Sequence, residues 1–553
     1  MRALFYSSMK ILFVYFFFIL VIVSSCKKDS TTPNSGSKNI NLINLSLDNI
    51  PFSYSYSNTS ITPTIVIQFS EPIDHLSAQN YILINAGAVA LNYSFSHHDS
   101  SVTVNLINPF QYFKAYYLQI NKQLTSTTNK NLDASISIKI ITQVDPTPKF
   151  PIITDTALVD LVQQQTIKYF YDFGHPNSGM ARERNTSGDV VTTGGSGFGL
   201  MAMISGIHRS FISRPDGIAR FNKIISFLET ADRFHGAWPH WMNGNTGKVV
   251  PFGANDDGAD IVETSYLIHG LLTVRQFLTS SDTSGNNLIN RITTLYNNVE
   301  WDWYRQNNQN VLYWNWSPNY GWAVNVPVRG YNETLITYIL AAGSSTHSIP
   351  VEVYQQGWAN NKSIVNGNSF YGHVLPLGEP YGGPLFFTQY SFLGFDPHVS
   401  DPYLNVNFWT QNVNQSLINH DYCVANPHHY VGYSDSCWGL TASDNQNGYS
   451  AQSPTNDNGT ISPTAAISSM PYTPTESMKA IKYFYYTLGD RMWGQYGFYD
   501  AFNITNAWTA TSTLAIDQGP IVVMIENYRT QLLWKLFMSA PEVQAAKTKL
   551  GFN

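Results

Sequence analysis

The sequence predicts a mainly α protein, with one large helical domain preceded by a small all-β module. Three observations carry that prediction. Between about residues 41 and 141 apolar residues alternate with polar ones in short runs. Residues 144–151 then hold three prolines, which suits a linker. Beyond 152 apolar residues recur every three or four positions, the period of a helix with one buried face. A chain of 553 residues has room for both parts. A hydrophobic share of 43% supplies a core and excludes global disorder.

The elements follow in chain order. Residues 1–26 read as an export leader: Arg2 and Lys10, an apolar run over 11–23, then small residues before Cys26. The run is shorter than the roughly 20 apolar residues of a membrane span. Val23-Ser24-Ser25-Cys26 resembles the bacterial lipobox, which implies that Cys26 becomes the acylated first residue of an envelope lipoprotein, on the outer membrane or the periplasmic face. Residues 27–40 form a tether rich in Ser, Thr, Pro and Asn. Over 41–145, Thr64-Ile65-Val66-Ile67-Gln68-Phe69, Val102-Thr103-Val104-Asn105-Leu106 and Tyr116-Tyr117-Leu118-Gln119-Ile120 read as strands, and the module resembles the Ig-like sandwiches of bacterial surface proteins. It shows no convergent acids, so a spacer is the expected role. The helical domain occupies 152–553. Helices are predicted over 156–173 and near 196–208, 216–233, 257–278, 286–303, 333–342, 406–418, 476–488 and 520–538, with a short one after Pro541. Spacing alone does not choose between a bundle and a closed barrel.

Charge and cysteine content narrow the function. Charged residues are only 12% and the formal net charge is −6, which gives nucleic acid nothing to bind. The 34 Tyr and 13 Trp suit either a large core or stacking against sugar rings. With Cys26 lipidated, Cys423 and Cys437 remain, as a disulfide or as two buried thiols. Without a matching pair they make no zinc site.

The most informative segment is Asn255-Asp256-Asp257-Gly258-Ala259-Asp260-Ile261-Val262-Glu263-Thr264. On a helix Asp256, Asp260 and Glu263 share one face, which continues through Leu267, Leu271, Val274 and Leu278 and therefore points inward. First-turn acids complement the helix dipole, which accounts for Asp256 and Asp257. Asp260 and Glu263 lie on the buried stripe, where like charges are costly unless bonded or protonated. Asn332 reads as an N-cap with Glu333 in the first turn, and Asp517 precedes Pro520, taken as the first helical position. Gly194-Gly195-Ser196-Gly197 opens a further helix. If these inner helices begin at one end, the acids share a pocket.

These residues resemble the glycoamylase-like family, which includes bacterial β-1,2-glucanases. The likeness runs from about 157 to 552 through Gly179-Met180-Ala181-Arg182-Glu183-Arg184, His235-Gly236-Ala237-Trp238-Pro239-His240-Trp241, the acidic run, Gly330-Tyr331-Asn332-Glu333, Cys437-Trp438-Gly439-Leu440-Thr441-Ala442-Ser443-Asp444, Gly497-Phe498-Tyr499-Asp500-Ala501-Phe502 and Asp517-Gln518-Gly519-Pro520. It implies an (α/α)6 barrel with its site at one mouth. It also implies that Asp256, Asp260, Glu263 and Glu333 are the important acids, with Glu333 as general acid.

The resulting expectation is inverting hydrolysis of a β-linked glucan, most specifically β-1,2-glucan or sophoro-oligosaccharides, by a monomer needing no cofactor and no metal. The base is one of Asp256, Asp260, Glu263, Asp444 and Asp517. Asp444 and Asp517 are also placed among the sugar contacts, with Trp238, Trp241 and Trp322 as stacking platforms. Two rival classes remain. One is a glycan-binding lipoprotein without turnover; the other is a polysaccharide lyase using His240 or His428-His429, against which the clustered acids argue.

Overall fold

A computed structural model describes residues 39–279 and 285–553. The leader, Cys26 and residues 27–38 lie outside the described residues. The chain divides into two compact units, one ending at Asp145 and one spanning Pro146–Asn553.

The first unit is a sandwich of two sheets. Strands β1 (Leu42–Leu47), β2 (Ile50–Pro51), β4 (Thr64–Phe69), β6 (Leu91–Ser96) and β7 (Ser101–Leu106) form one sheet in the order β2-β1-β4-β7-β6. Strands β3 (Ser55–Thr59), β5 (Ile82–Ile84), β8 (Ala115–Ile120) and β9 (Ile136–Thr142) form the other, ordered β3-β9-β8-β5. A short helix, α1 (His75–Tyr81), precedes β5. Alternation in β4 puts Ile65, Ile67 and Phe69 inward, where they meet Val102, Val104, Leu118, Ile138 and Ile140. Each such side chain contributes about 1.5–3 kcal/mol on full burial.

The second unit is helical: α2 (Asp155–Tyr171), α3 (Thr193–His208), α4 (Arg214–Thr230), α5 (Ile261–Phe277), α6 (Gly285–Asn297), α7 (Leu335–Gly343), α8 (Val351–Gln356), α9 (Phe408–Ala425), α10 (Pro463–Ile467), α11 (Pro474–Lys482), α12 (Gly489–Met492), α13 (Ala515–Thr530), α14 (Leu532–Met538) and α15 (Pro541–Leu550). α3, α5, α7, α10 and most of α13 are buried on every side. α2, α4 and α15 keep an exposed face. α3 packs against both α5 and α13, α5 against α7, and α10 against α13. Gly197 and Gly270 let α3 and α5 touch backbone to backbone: a Cβ on Gly270 would lie 2.2 Å from the Gly197 carbonyl oxygen. Among the described residues no helix is long and apolar enough to cross a membrane.

Several boundaries differ from the sequence reading. α5 starts at Ile261 because Ala259 and Asp260 pair as a short strand with Trp316 and Asn315. Its burial is all-round rather than a single stripe, since α3, α6, α7 and α14 all pack against it. Glu333 stands two residues before α7, whose N-cap is Thr334. Asn332 instead accepts from the Thr334 amide and hydroxyl. Pro520 sits inside α13, which begins five residues earlier at Ala515 and ends where Gln531 turns left-handed. Cys423 and Cys437 are free, buried thiols.

Candidate active site

The N-terminal turns of the buried helices meet on one side of the unit. The Gly194 amide at the start of α3 donates to Glu263 Oε2 at 2.8 Å, joining α3 to the first turn of α5. The Tyr266 hydroxyl reaches the Glu333 carbonyl at 3.4 Å, joining α5 to the approach to α7. The Thr464 hydroxyl donates to the Asp517 carbonyl at 2.7 Å, joining α10 to α13. Gly195 at the start of α3 also lies against Ala515 at the start of α13, so the acids carried by these turns gather on one side of the unit.

Asp260 is the N-cap of α5. Its Oδ1 accepts from the amides of Val262 and Glu263, both at 3.0 Å. Its Oδ2 meets His240 Nδ1 and Trp314 Nε1, each at 3.1 Å. The other nitrogen of His240 lies 3.9 Å from Glu263 Oε1, so one imidazole stands between two carboxylates. Burial alone would lower the His240 pKa, but Glu263, Asp260 and Asp256 outweigh it and raise it. Asp256 accepts from Asn315 Nδ2 at 2.7 Å. It lies in a turn before the helix, so residues 256, 260 and 263 do not form a helical stripe. A β-bridge and a cap bring these acids together instead.

Glu333 is 5% exposed. Its backbone carbonyl is held by Ser391 Oγ at 2.5 Å. Removal from water pushes its carboxyl up to about 7, and the charges of Glu263 and Asp260 act in the same direction. At neutral pH a large share of Glu333 therefore carries a proton, which Asp and Glu near their ordinary values do not.

A second acid group forms the α10–α13 side. Asp444 accepts from Arg184 Nη1 at 3.2 Å and Ser512 Oγ at 2.5 Å, while its amide donates to Asp500 Oδ2 at 2.6 Å. Burial, then the Asp444 charge, raises Asp500 to about 7. Burial, and then the neighbouring Asp500, raise Asp517 as well. Two buried carboxyls that raise each other favour the state with a proton on the pair. Asp500 stands in the segment Gly497-Phe498-Tyr499-Asp500-Ala501-Phe502. Nothing in its local pattern marks an acid whose partner is 17 residues away, after a loop.

The aromatic expectations separate. Trp238 is completely buried, and its indole NH donates to the Leu228 carbonyl at 3.2 Å. It packs the core and offers no face to a sugar, which corrects its placement as a platform. Trp241 is half-buried, edge-on to His240 and Phe252. Trp322 is half-buried beside Trp303, Tyr304 and Tyr313. Among the described residues no group of three or more His, Cys, Asp or Glu is arranged to hold a metal ion. A hollow lined by Arg275, Leu278, Thr293 and Glu542 lies at the C-terminal end of α5, away from the acids, and the Arg275–Glu542 ion pair already occupies it.

Paired carboxyls, one kept neutral, at the mouth of a helical domain form the arrangement that glycoside hydrolases use. Residues 325–541 match the family described as "Putative glucoamylase", and residues 28–140 match the bacterial Ig-like domain. The chain is 53% identical to the endo-β-1,2-glucanase of Chitinophaga pinensis, solved with sophorotriose and glucose; the match covers 73% of this chain and 99% of that one, with a TM-score of 0.71. A structure from Bacteroides uniformis, also described as a glucoamylase of that kind, is 52% identical over 73% of this chain and 99% of its own, at 0.71. The β-1,2-glucanase of Parabacteroides distasonis is 39% identical over 90% of this chain and 73% of its own, at 0.70. An exo-β-1,2-glucooligosaccharide sophorohydrolase (non-reducing end) from the same organism is 46% identical over 422 residues, 72% of this chain. The match spans 58% of that relative's length. The chain belongs to this glucoamylase-like family.

Proposed function

We propose that this protein is a glycoside hydrolase that cleaves β-1,2-glucan or sophoro-oligosaccharides with inversion. The observation that carries the reading is the buried, proton-holding Glu333 at a mouth shared with Asp256, Asp260 and Glu263 on one side and Asp444 and Asp517 on the other. Glu333 donates its proton to the leaving glycosidic oxygen as the C1–O bond breaks. A carboxylate activates water, whose oxygen bonds to C1 from the opposite face. Of the five candidates for base, Asp260 is the least suited, because both its oxygens are already committed to the cap, His240 and Trp314. Asp256, Glu263, Asp444 and Asp517 remain. Asp444 and Asp517, with Trp241 and Trp322, would also contact sugar. The relatives named for β-1,2-linked substrates support the linkage.

The ring of buried helices is read as the inner layer of an (α/α)6 barrel. Export and lipidation at Cys26 would hold the enzyme on the cell envelope as a monomer, with the Ig-like unit as spacer. The deciding experiment incubates the soluble chain with β-1,2-glucan, sophorotriose and other glucans and follows product anomers by NMR. Initial release of the α-anomer from the β-1,2-linked substrates is expected. Initial β-anomer would overturn inversion, and no turnover of any glucan would leave a binding protein.

A further inference from the structure

We propose that Trp303 is a second glucan-binding element, a platform flanking the catalytic mouth on which a length of β-1,2-glucan beyond the cleavage point rests. The inference rests on the hydrolase reading above and specifies where a long chain runs. Trp303 is 41% exposed. Single exposed aromatics are ordinary on protein surfaces, but this one is held in place. His235 stacks on it at 3.8 Å and 15°, and the His235 Nδ1 is fixed by Glu300 Oε2 at 2.9 Å. Trp316 meets the ring edge-on at 6.3 Å, and Trp322 lies 6.4 Å away at 31°. One ring face is covered and the edge is buttressed, which makes a rigid stacking surface with little side-chain freedom left to lose on binding.

The surroundings point to sugar. Glu300 remains 39% exposed beside the ring. A sugar's C–H face packs on an indole while its hydroxyls seek such neighbouring acceptors. Glu300 Oε2 is taken by His235, which leaves its other oxygen for a hydroxyl donor, and a lipid or apolar peptide has none to offer. The platform adjoins the strand that carries the acids: Trp316, which Trp303 meets, pairs with Ala259, one residue before Asp260. Trp316 follows Asn315, which donates to Asp256, and Trp314 on the same segment donates to Asp260. His235 lies on the segment that leads to His240.

The test compares kcat/KM on long β-1,2-glucan and on sophorotriose, using the full chain. Trp303→Ala is expected to lower the ratio of long to short about ten-fold, mainly through KM, the scale of one stacking contact. Trp303→Phe, which keeps an aromatic face, should recover most of the ratio. An unchanged ratio overturns the platform. Binding of long glucan is measured separately by calorimetry, where Trp303→Ala should weaken affinity about ten-fold. If the wild-type chain hydrolyses neither substrate yet shows this loss of affinity, the platform stands and the hydrolase reading falls. If hydrolysis is found while ratio and affinity do not move, the platform alone falls.

Discussion

The two sides of the mouth hold their acids by opposite means. On the α5–α7 side, Asp260 and Glu263 are surrounded by donors: helix amides, an indole NH, the Gly194 amide and an imidazole. Donors stabilise the ionised form, whereas Glu333, just beyond, is raised first by burial and then by the charges of Glu263 and Asp260. On the α10–α13 side, Asp500 and Asp517 are set against each other, and Arg184 bonds to Glu183 and Asp444 instead. That side holds its charge down by keeping a proton on the pair. One side thus supplies its acids with donors and sets a raised carboxyl, Glu333, beside them, and the other raises its carboxyls by mutual contact. Acid–base chemistry needs such unequal carboxyls.

The comparison can be broken most directly at Glu333. Glu333→Gln is expected to lower kcat by about 10²–10⁴, with glucan binding by calorimetry retained. A larger loss in Asp517→Asn than in Glu333→Gln would move the proton donor to the other face. Next comes Gly194→Ala. A Cβ there would lie 2.4 Å from Glu263 Oε2, so the carboxylate must shift. Displacements of about 1 Å in a site cost about 10²-fold, and kcat/KM should fall on that scale.

pH sharpens the contrast further. Glu333 is raised to about 7 by burial, so it is protonated below that value, and the rate should fall as pH climbs through about 7. The same sign governs stability. The folded-state values of Glu333 and Asp500 lie above ordinary carboxyl values, so their contribution is fully present below the ordinary range and is lost as pH rises through about 7. Asp500→Asn removes one of the two, and Tm should then fall less between about pH 5 and about pH 8. In Asp260→Ala, loss of the α5 cap costs about 0.5–2 kcal/mol of stability by denaturant unfolding, and leaving the His240 and Trp314 donors without their acceptor adds about 1–3 kcal/mol each.

How much of this was legible depends on which interactions set each position. The change from a two-residue to a three-and-four-residue period exposed the β module and the helical domain, because burial on one face writes itself into the sequence. Buried helices such as α3 and α7 are apolar all round, so their ends are marked by caps rather than by pattern. α5 was begun too early because the strand pair of Ala259 and Asp260 with Trp316 and Asn315 is a contact across some 55 positions that no local period announces. Asp256, Asp260 and Glu263 are buried together, yet helical spacing is not what groups them, since Asp256 and Asp260 precede α5. His240 and Asp500, whose meaning lies wholly in their neighbours, drew little notice. Trp238 shows the converse error: a tryptophan beside an active-site motif that serves only the core.

The meeting of helix N-termini has an electrical consequence. Each helix carries about half a positive charge at its start. Several such starts pointed into one cavity set up a standing field that favours negative charge there before any substrate arrives. A chain already negative overall can therefore concentrate carboxylates at this end, with the helix starts offsetting part of their charge.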